Sequence, residues 1–577
     1  MNKKILALVL SSVVIFASGI TVGIIYLSST RYRYIPSLDW SFPQNCTFHQ
    51  DYVSVPYMIP MRDGVGLATN VHIPRDIDQP LPIVLFRTPY NKNGINPEGL
   101  VSKGYIVVSQ DTRGFHESDG EKGFPFAHDQ MDGHDTLRWL EKQPWSDKKI
   151  GTQGGSALGI TQYLMGPNAP TSLKCQTPVV GTPDLFKAMF EGGELRYELL
   201  VPWMQATGYS ENTILSAITN DTLTSVWDPV RIVNDFEQVN TASLHFGGWY
   251  DIFAQDTIDG FMGYQYEGGL LAKGTAKLIM GPWRHGNFYG GPTGEIEFPN
   301  QNIEIATYAQ DAVIQKWLKN DPTLWDQYPT VLYYVMSSID YNSDELGNHW
   351  SQSDSWPIPI NVTSLFLAST GDPHSGSLSD ISVDSAPSEI LYDPGNPTDT
   401  IGGNNLVLAA GTYDQTSLES REDVLLFETS DLLEPVTVVG KTNITFYFSS
   451  NCTDTDITVK LTDVYPDGRS MLICDSILRL RYRNGISSGE LMTPGTIYEI
   501  TIQLPSTTYV FNEAHKIRLA ISGSNYPRYF ANPNTGEPIW QNTTYYIAEN
   551  TFYSNSTHPS VISLPTPEYT SLMPFVF

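Results

Sequence analysis

The stretch IGTQGGSALGITQYLMG, residues 150–166, sets a serine among glycines, just after a short apolar run and just before a helical pattern. Read as strand, sharp turn and helix, it makes the surrounding region an α/β fold and puts Ser156 at the tip of the turn, where a nucleophile would stand exposed. So sharp a turn demands small neighbours, and Gly154 and Gly155 meet that need. The general pattern wants its second glycine two places after the serine, but Leu158 stands there and Gly159 follows one later. Alone the match is weak, because glycine-flanked serines are common in loops. Its weight comes from what lies on either side.

Outward from this turn, residues 80–290 alternate short apolar runs with helical patterns, the rhythm of a mainly parallel sheet covered by helices. PIVLFRTPY and YIVVSQDTRG read as buried strands, KKIGTQG as the strand entering the turn, and CQTPVVGTPD and SLHFGGWYD as two more. AKLIMGPWRHG reads as the last. DGHDTLRWLEKQPW carries Leu137, Trp139 and Leu140 at amphipathic spacing with acids at its start, as a helix N-terminus prefers. From about residue 185 to 234 the alternation stops, and LFKAMFEGGELRYELLVPWMQATG and ENTILSAITN read as inserted helices. Such an insertion overhangs the carboxyl edge of the sheet, where open α/β folds bind ligands. After about residue 355, runs of Thr, Val, Ile and Tyr between turn signals read as an all-β sandwich or jelly roll. Its clearest hairpin is DITVKLTDVYPDGRSMLICDSILRLRYR.

A serine hydroxyl needs a base to take its proton and a carboxylate to orient that base, so partners are expected at later strand ends in the order Ser, Asp, His. HFGGWYD ends in Asp251, and LIMGPWRHGN supplies His285. Asp256 and Asp259 lie close to Asp251 but fall in the following helical pattern, where a solvated face suits them. The Ala157 backbone N–H, directly after the serine, is placed to stabilise an oxyanion, and Tyr90 is a candidate second donor or a tyrosine capping its strand. HDQMDGHD, residues 128–135, has metal-friendly side chains, but its position at a helix start reads as capping. Asp111 and Arg113 of DTRG are expected to pair and tie a strand end.

The formal charge of −28, from 62 acidic and 34 basic residues, repels nucleic acid and anionic lipid alike. Lys3 and Lys4 precede an uncharged, mostly apolar run from Ile5 to Leu27 that is long enough to cross a bilayer. It reads as a membrane anchor, with removal as a signal peptide the alternative, and either places the bulk of the chain outside the cytoplasm. Sequons at Asn45, Asn220, Asn361, Asn443, Asn451, Asn542 and Asn555 fit that side. Cys46, Cys175, Cys452 and Cys474 have no zinc-like spacing, and a hairpin turning at residues 465–469 sets Cys474 opposite a position near Leu461 rather than Cys452. The pairing is left open.

Together MRDGVGLATNVHIP, RTPYNK, SQDTRGFHESDGE, DGHDTLRWLEKQPW, GGSALG, GGWYD, GPWRHGN and DVYPDGRSMLICDSILRLRYR resemble the family of cocaine esterases, α-amino-acid ester hydrolases and X-prolyl dipeptidyl-peptidases. The resemblance runs from about residue 55 to about residue 536. It implies an α/β-hydrolase core over residues 50–183 and 235–355, a helical cap over 184–234, and a C-terminal jelly roll over 356–577, behind an N-terminal segment at 1–35. It also implies Ser156 as nucleophile, His285 as base, Asp251 as its orienter, and Tyr90 as oxyanion donor beside Ala157. Where the family usually carries tyrosine, this chain has Ala157, which keeps the N–H but removes a ring from the pocket wall. The acids that grip a substrate ammonium in α-amino-acid ester hydrolases are replaced after Asp251 by Ile252, Phe253 and Ala254, which suits an apolar acyl group. The expected activity is hydrolysis of an ester or amide, or of an X-prolyl peptide, without metal or organic cofactor. A non-catalytic surface module that binds glycan or a partner is the reading from another class, and oligomeric state is left open.

Overall fold

The computed structural model describes residues 46–568, apart from 76, 289, 302, 340–346 and 539–543, together with 573–574. The Ile5–Leu27 segment lies outside the described residues, and among those described no helix is long and apolar enough to cross a membrane.

The core is one twisted sheet whose strands, in chain order, are β1 (Tyr52–Pro60), β2 (Gly66–Pro74), β3 (Leu81–Thr88), β4 (Ile106–Asp111), β5 (Ser146–Gly155), β6 (Leu173–Val179), β7 (Ala242–Tyr250), β8 (Lys277–Arg284), β9 (Val331–Ser337) and β10 (His349–Ser353). They lie side by side as β1-β2-β4-β3-β5-β6-β7-β8-β9-β10. From β4 to β9 each neighbouring pair is parallel, and antiparallel pairs close both flanks. Strand β3 is buried at every position, which explains why its sequence is apolar without alternation. The alternation predicts β8 as the last core strand, but β9 continues the sheet in parallel beyond it. A 17-residue helix, Ile303–Lys319, makes that crossover, and its pattern lies past the boundary at which the sequence rhythm was read to stop.

Helices α1 (Asp129–Leu140) and α2 (Ala157–Met165) cover the sheet. Every residue of α2 is buried. The cap holds α3 (Leu185–Met189), α4 (Tyr197–Ala206) and α5 (Glu211–Thr219), and the first of its two predicted helices is broken. Residues 190–195 form a small hairpin there, because Gly192 and Gly193 both take positive φ and end α3. Helix α6 (Ala254–Met262) follows β7.

The C-terminal region is an 11-stranded β arrangement, the jelly roll. Its strands Asp456–Val464 and Ser470–Arg479 pair with Leu461 opposite Cys474, the register expected from the YPDGR turn. All four cysteines are unbridged. Strand Thr507–Phe511 pairs with the end of β9, so part of the β region is hydrogen-bonded into the core sheet. That shared edge leaves the loop at 402–407 against the cap and the strand ends of the core.

Candidate active site

The turn at Ser156 is built by close backbone fit. Ser156 has φ 60° and ψ −125°, a conformation that costs a non-glycine residue roughly 1–3 kcal/mol and persists only where its surroundings fix it. Here the Ser156 N–H donates to the Val179 carbonyl at 3.0 Å, tying the turn to the end of β6. Gly154 sits at φ 135°, and a Cβ there would come within 2.5 Å of Leu158 Cβ. A Cβ on Gly159 would lie 2.9 Å from the Val179 carbonyl oxygen. The displaced glycine of the motif is thereby explained: Leu158 packs back over Gly154, and it is the next residue that must let helix and strand touch.

His285, just past β8, brings Nε2 to 3.1 Å from Ser156 Oγ. Its Nδ1 lies 2.6 Å from Asp251 Oδ2, just past β7. Asp251 is fully buried, and its Oδ1 accepts the Phe253 N–H at 2.7 Å. A carboxylate only accepts, so Nδ1 of His285 carries the proton and Nε2 is left to accept from the serine hydroxyl. The Phe253 ring meets the His285 ring edge to face, centroids 6.0 Å apart. Asp251 and His285, 95 and 129 positions after Ser156 in the chain, thus meet it from the ends of β7 and β8.

Ala157 opens α2, a position whose N–H has no acceptor within the helix, and the Ser156 side chain makes no capping bond to it. Tyr90 stands at the end of β3, half-buried, with its hydroxyl accepting from Trp203 Nε1 at 2.8 Å. Burial pushes the Tyr90 hydroxyl up to about 12, against the opposing hydrogen bonds to Trp203 and Ser156. It therefore stays protonated, and with Trp203 occupying its lone pair it keeps its own O–H to donate.

Other candidates fall elsewhere. Asp111 does not pair with Arg113: it accepts the Lys92 N–H at 2.6 Å and faces the Lys92 ammonium, while Arg113 forks onto Asp132 and reaches Asp63. Strand β4 ends with Asp111 pointing inward, whereas Arg113 has already turned toward α1. In the 128–135 segment the acids meet arginines, Asp129 with Arg87, Asp132 with Arg113 and Asp135 with Arg62, and His128 at the helix start makes no side-chain cap. Among the described residues no cluster of three or more His, Cys, Asp or Glu side chains is arranged to hold a metal. Asp256 is not on a solvated face, since it is 7% exposed and accepts from Thr182 at 2.9 Å. Asp259 pairs with Lys187 of the cap.

Sequence reasoning missed the groups that clamp this centre from outside the core. Asn404 of the β region donates to the Asp251 carbonyl at 2.7 Å. Arg196 of the cap donates to the Ile252 carbonyl at 2.7 Å and to the Asn404 carbonyl at 2.8 Å. The buried Glu198 carboxylate accepts the Leu406 and Val407 N–H groups at 2.9–3.1 Å. The one local signal was the Gly402–Gly403 pair, both at positive φ, which shapes the loop that carries Asn404.

Comparison with known proteins places this architecture. The family model described as X-Pro dipeptidyl-peptidase (S15 family) matches residues 63–214 and 205–287, and the X-Pro dipeptidyl-peptidase C-terminal non-catalytic domain matches 323–563. A cocaine esterase of Rhodococcus sp. (strain MB1 Bresler) is 31% identical over 88% of this chain and 97% of its own length. Among solved structures, an α-amino acid ester hydrolase superposes with a TM-score of 0.76 at 22% identity, covering 95% of this chain and 99% of that one. An aminopeptidase from a marine sediment archaeon, Thaumarchaeota archaeon, does so with a TM-score of 0.76 at 23% identity, covering 92% and 99%. With two family models matched in order and a relative at 31% identity aligned along nearly its whole length, the chain belongs to the cocaine esterase, α-amino-acid ester hydrolase and X-prolyl dipeptidyl-peptidase family of serine hydrolases.

Proposed function

We propose that the chain is an exported carboxylesterase that works through an acyl-enzyme on Ser156. The observation that carries this reading is the unbroken relay from Ser156 Oγ through His285 to the buried Asp251. His285 Nε2 takes the hydroxyl proton as Oγ attacks the ester carbonyl, and Asp251 stabilises the imidazolium that forms. The Ala157 N–H and the Tyr90 hydroxyl hold the oxyanion of the tetrahedral intermediate. His285 then gives its proton to the departing alkoxide, and the alcohol leaves. Water enters, loses a proton to His285 and attacks the acyl carbon, which frees the carboxylic acid and restores Ser156.

The acyl side is apolar in this reading. Phe253 beside His285 offers a ring where an acidic side chain would select an ammonium. Similarity to a protein named cocaine esterase points the same way. X-prolyl dipeptidyl-peptidase activity is the second reading, favoured by the descriptions of both matched family models. Purified protein offered p-nitrophenyl esters beside proline-containing dipeptide anilides separates the two, with turnover of esters of apolar acids expected. Preferential cleavage of the anilides would establish the peptidase instead. The N-terminal run Ile5–Leu27 supports export, as an anchor or as a removed signal. Fractionation of cells with protease added outside is expected to degrade the bulk of the chain.

A further inference from the structure

Behind the Asp251 loop lies a second cavity, of about 340 Å³, whose walls come from the cap, the core and the β region. None of Ser156, Asp251, His285 or Tyr90 lines it. Ile252 and Ala254 face it, whereas Phe253 between them turns its ring to His285, so the loop separates this space from the catalytic centre. The volume falls in the range of small-molecule sites, roughly 300–1,000 Å³.

The wall is two-sided in character. Phe190, Ile477, Ile486 and Leu504 make an apolar surface. Against it stand four cations, Lys187 and Arg196 from the cap and Lys441 and Arg528 from the β region, with only Glu191 and Asp256 as acids. Both acids are already engaged: Glu191 accepts from Tyr529 and lies 3.5 Å from Arg528, and Asp256 accepts from Thr182. Burial also raises Asp256 to about 7, so part of its charge is absent at neutral pH. Lys187 is matched by Asp259, and Arg528 Nη1 by Asp475 at 2.7 Å. Of the four cations, Lys441 is the one left without such a pair. Lys441 makes no hydrogen bond or ion pair among the described residues. Arg196 and Arg528, 4% and 2% exposed, are spoken for by their neighbours, Arg196 Nε lying 3.9 Å from Glu191. A chain of net charge −28 has thus set a half-buried ammonium with no ion pair beside an apolar wall.

We propose that this cavity is a second, non-catalytic binding site for a small organic carboxylate with an apolar body. Lys441 supplies its charge partner, and the apolar wall takes its chain. Arg196 also holds the Ile252 and Asn404 carbonyls, so an occupant lies against the residue that braces the Asp251 loop.

The test is calorimetric titration of the whole protein with octanoate, octanol and octylamine, before and after saturation with a fluorophosphonate. Saturable octanoate binding is expected in both states, with octanol at least tenfold weaker and octylamine not bound. Lys441→Met should weaken octanoate at least fivefold and Lys441→Glu should abolish it, both at a half-buried position that leaves the fold intact by circular dichroism. The proposal fails if octanoate does not bind, if the fluorophosphonate abolishes binding, or if both Lys441 variants bind like the parent. Absence of fluorophosphonate labelling would count against the catalytic reading alone, because the Lys441 comparison still reads the cavity.

Discussion

The turn at Ser156 and the clamp at Asn404 serve one centre but are held by opposite means. The turn is local and steric: Gly154, Leu158 and Gly159 fit one another within six residues, and one backbone bond to Val179 anchors them. The clamp is distant and polar: Arg196 of the cap and Asn404 of the β region donate to carbonyls of the Asp251 loop, and Glu198 accepts N–H groups of the loop that carries Asn404. The difference separates chemistry from geometry. In the proposed mechanism side chains at strand ends carry the reaction, and residues as far as 153 positions from Asp251 fix where it stands.

The sharpest way to break this division is Ser156→Ala. It should lower kcat by at least about 10⁴-fold while leaving the melting temperature within about 2 °C, because the relay is lost and the fold is not. Next is Tyr90→Phe, which removes one oxyanion donor; kcat should fall about 10²–10³-fold with KM little changed in steady-state kinetics. Gly159→Ala attacks the steric side. Its new Cβ would press on the Val179 carbonyl, a backbone atom that cannot swing away, and denaturant titration should show a loss of about 1–3 kcal/mol. Asn404→Ala attacks the polar side by leaving the Asp251 carbonyl with the Ala254 N–H alone, with an expected cost of about 0.5–1.5 kcal/mol and a fall in kcat of about tenfold that exceeds any change in KM.

The smallest effect concerns Asp256, which burial raises to about 7, with Lys187 and Arg196 opposing and Asp259 adding to the rise. Its folded value lies above the unfolded one near 4, so its protonated form favours the fold, and that contribution is complete below about pH 4 and lost as pH rises through 7. Asp256→Asn, which copies the neutral form, should therefore gain melting temperature relative to the parent at pH 8.5 but not at pH 4. Equal offsets at both values would refute the raised carboxyl.

How much of this was legible follows the same division. Strands β3, β7 and β8, buried over nearly their whole length, announce themselves as largely apolar runs, and the glycines closing β5 mark its end, so Ser156, Asp251 and His285 could be placed at strand ends from the sequence. Asp256 could not be read correctly, because helical spacing tells which residues share a face but not that a cap will cover that face. Asp111 and Arg113 were misjudged for a related reason. Proximity in the chain suggested a pair, while the strand sent one side chain inward and the next turn sent the other to α1. Strand β9 was missed because the reading of the rhythm stopped before the long helix that precedes it. Glu198 had no local signature and Asn404 only the Gly402–Gly403 pair before it, since their partners lie across domains.

The central claim, that His285 activates Ser156, is tested most directly by mapping a fluorophosphonate adduct by peptide mass. The account predicts one adduct per chain, on the peptide holding Ser156, with labelling slowed at least about 10³-fold in His285→Ala. An adduct on another serine, or undiminished labelling of Ser156 without His285, would contradict it.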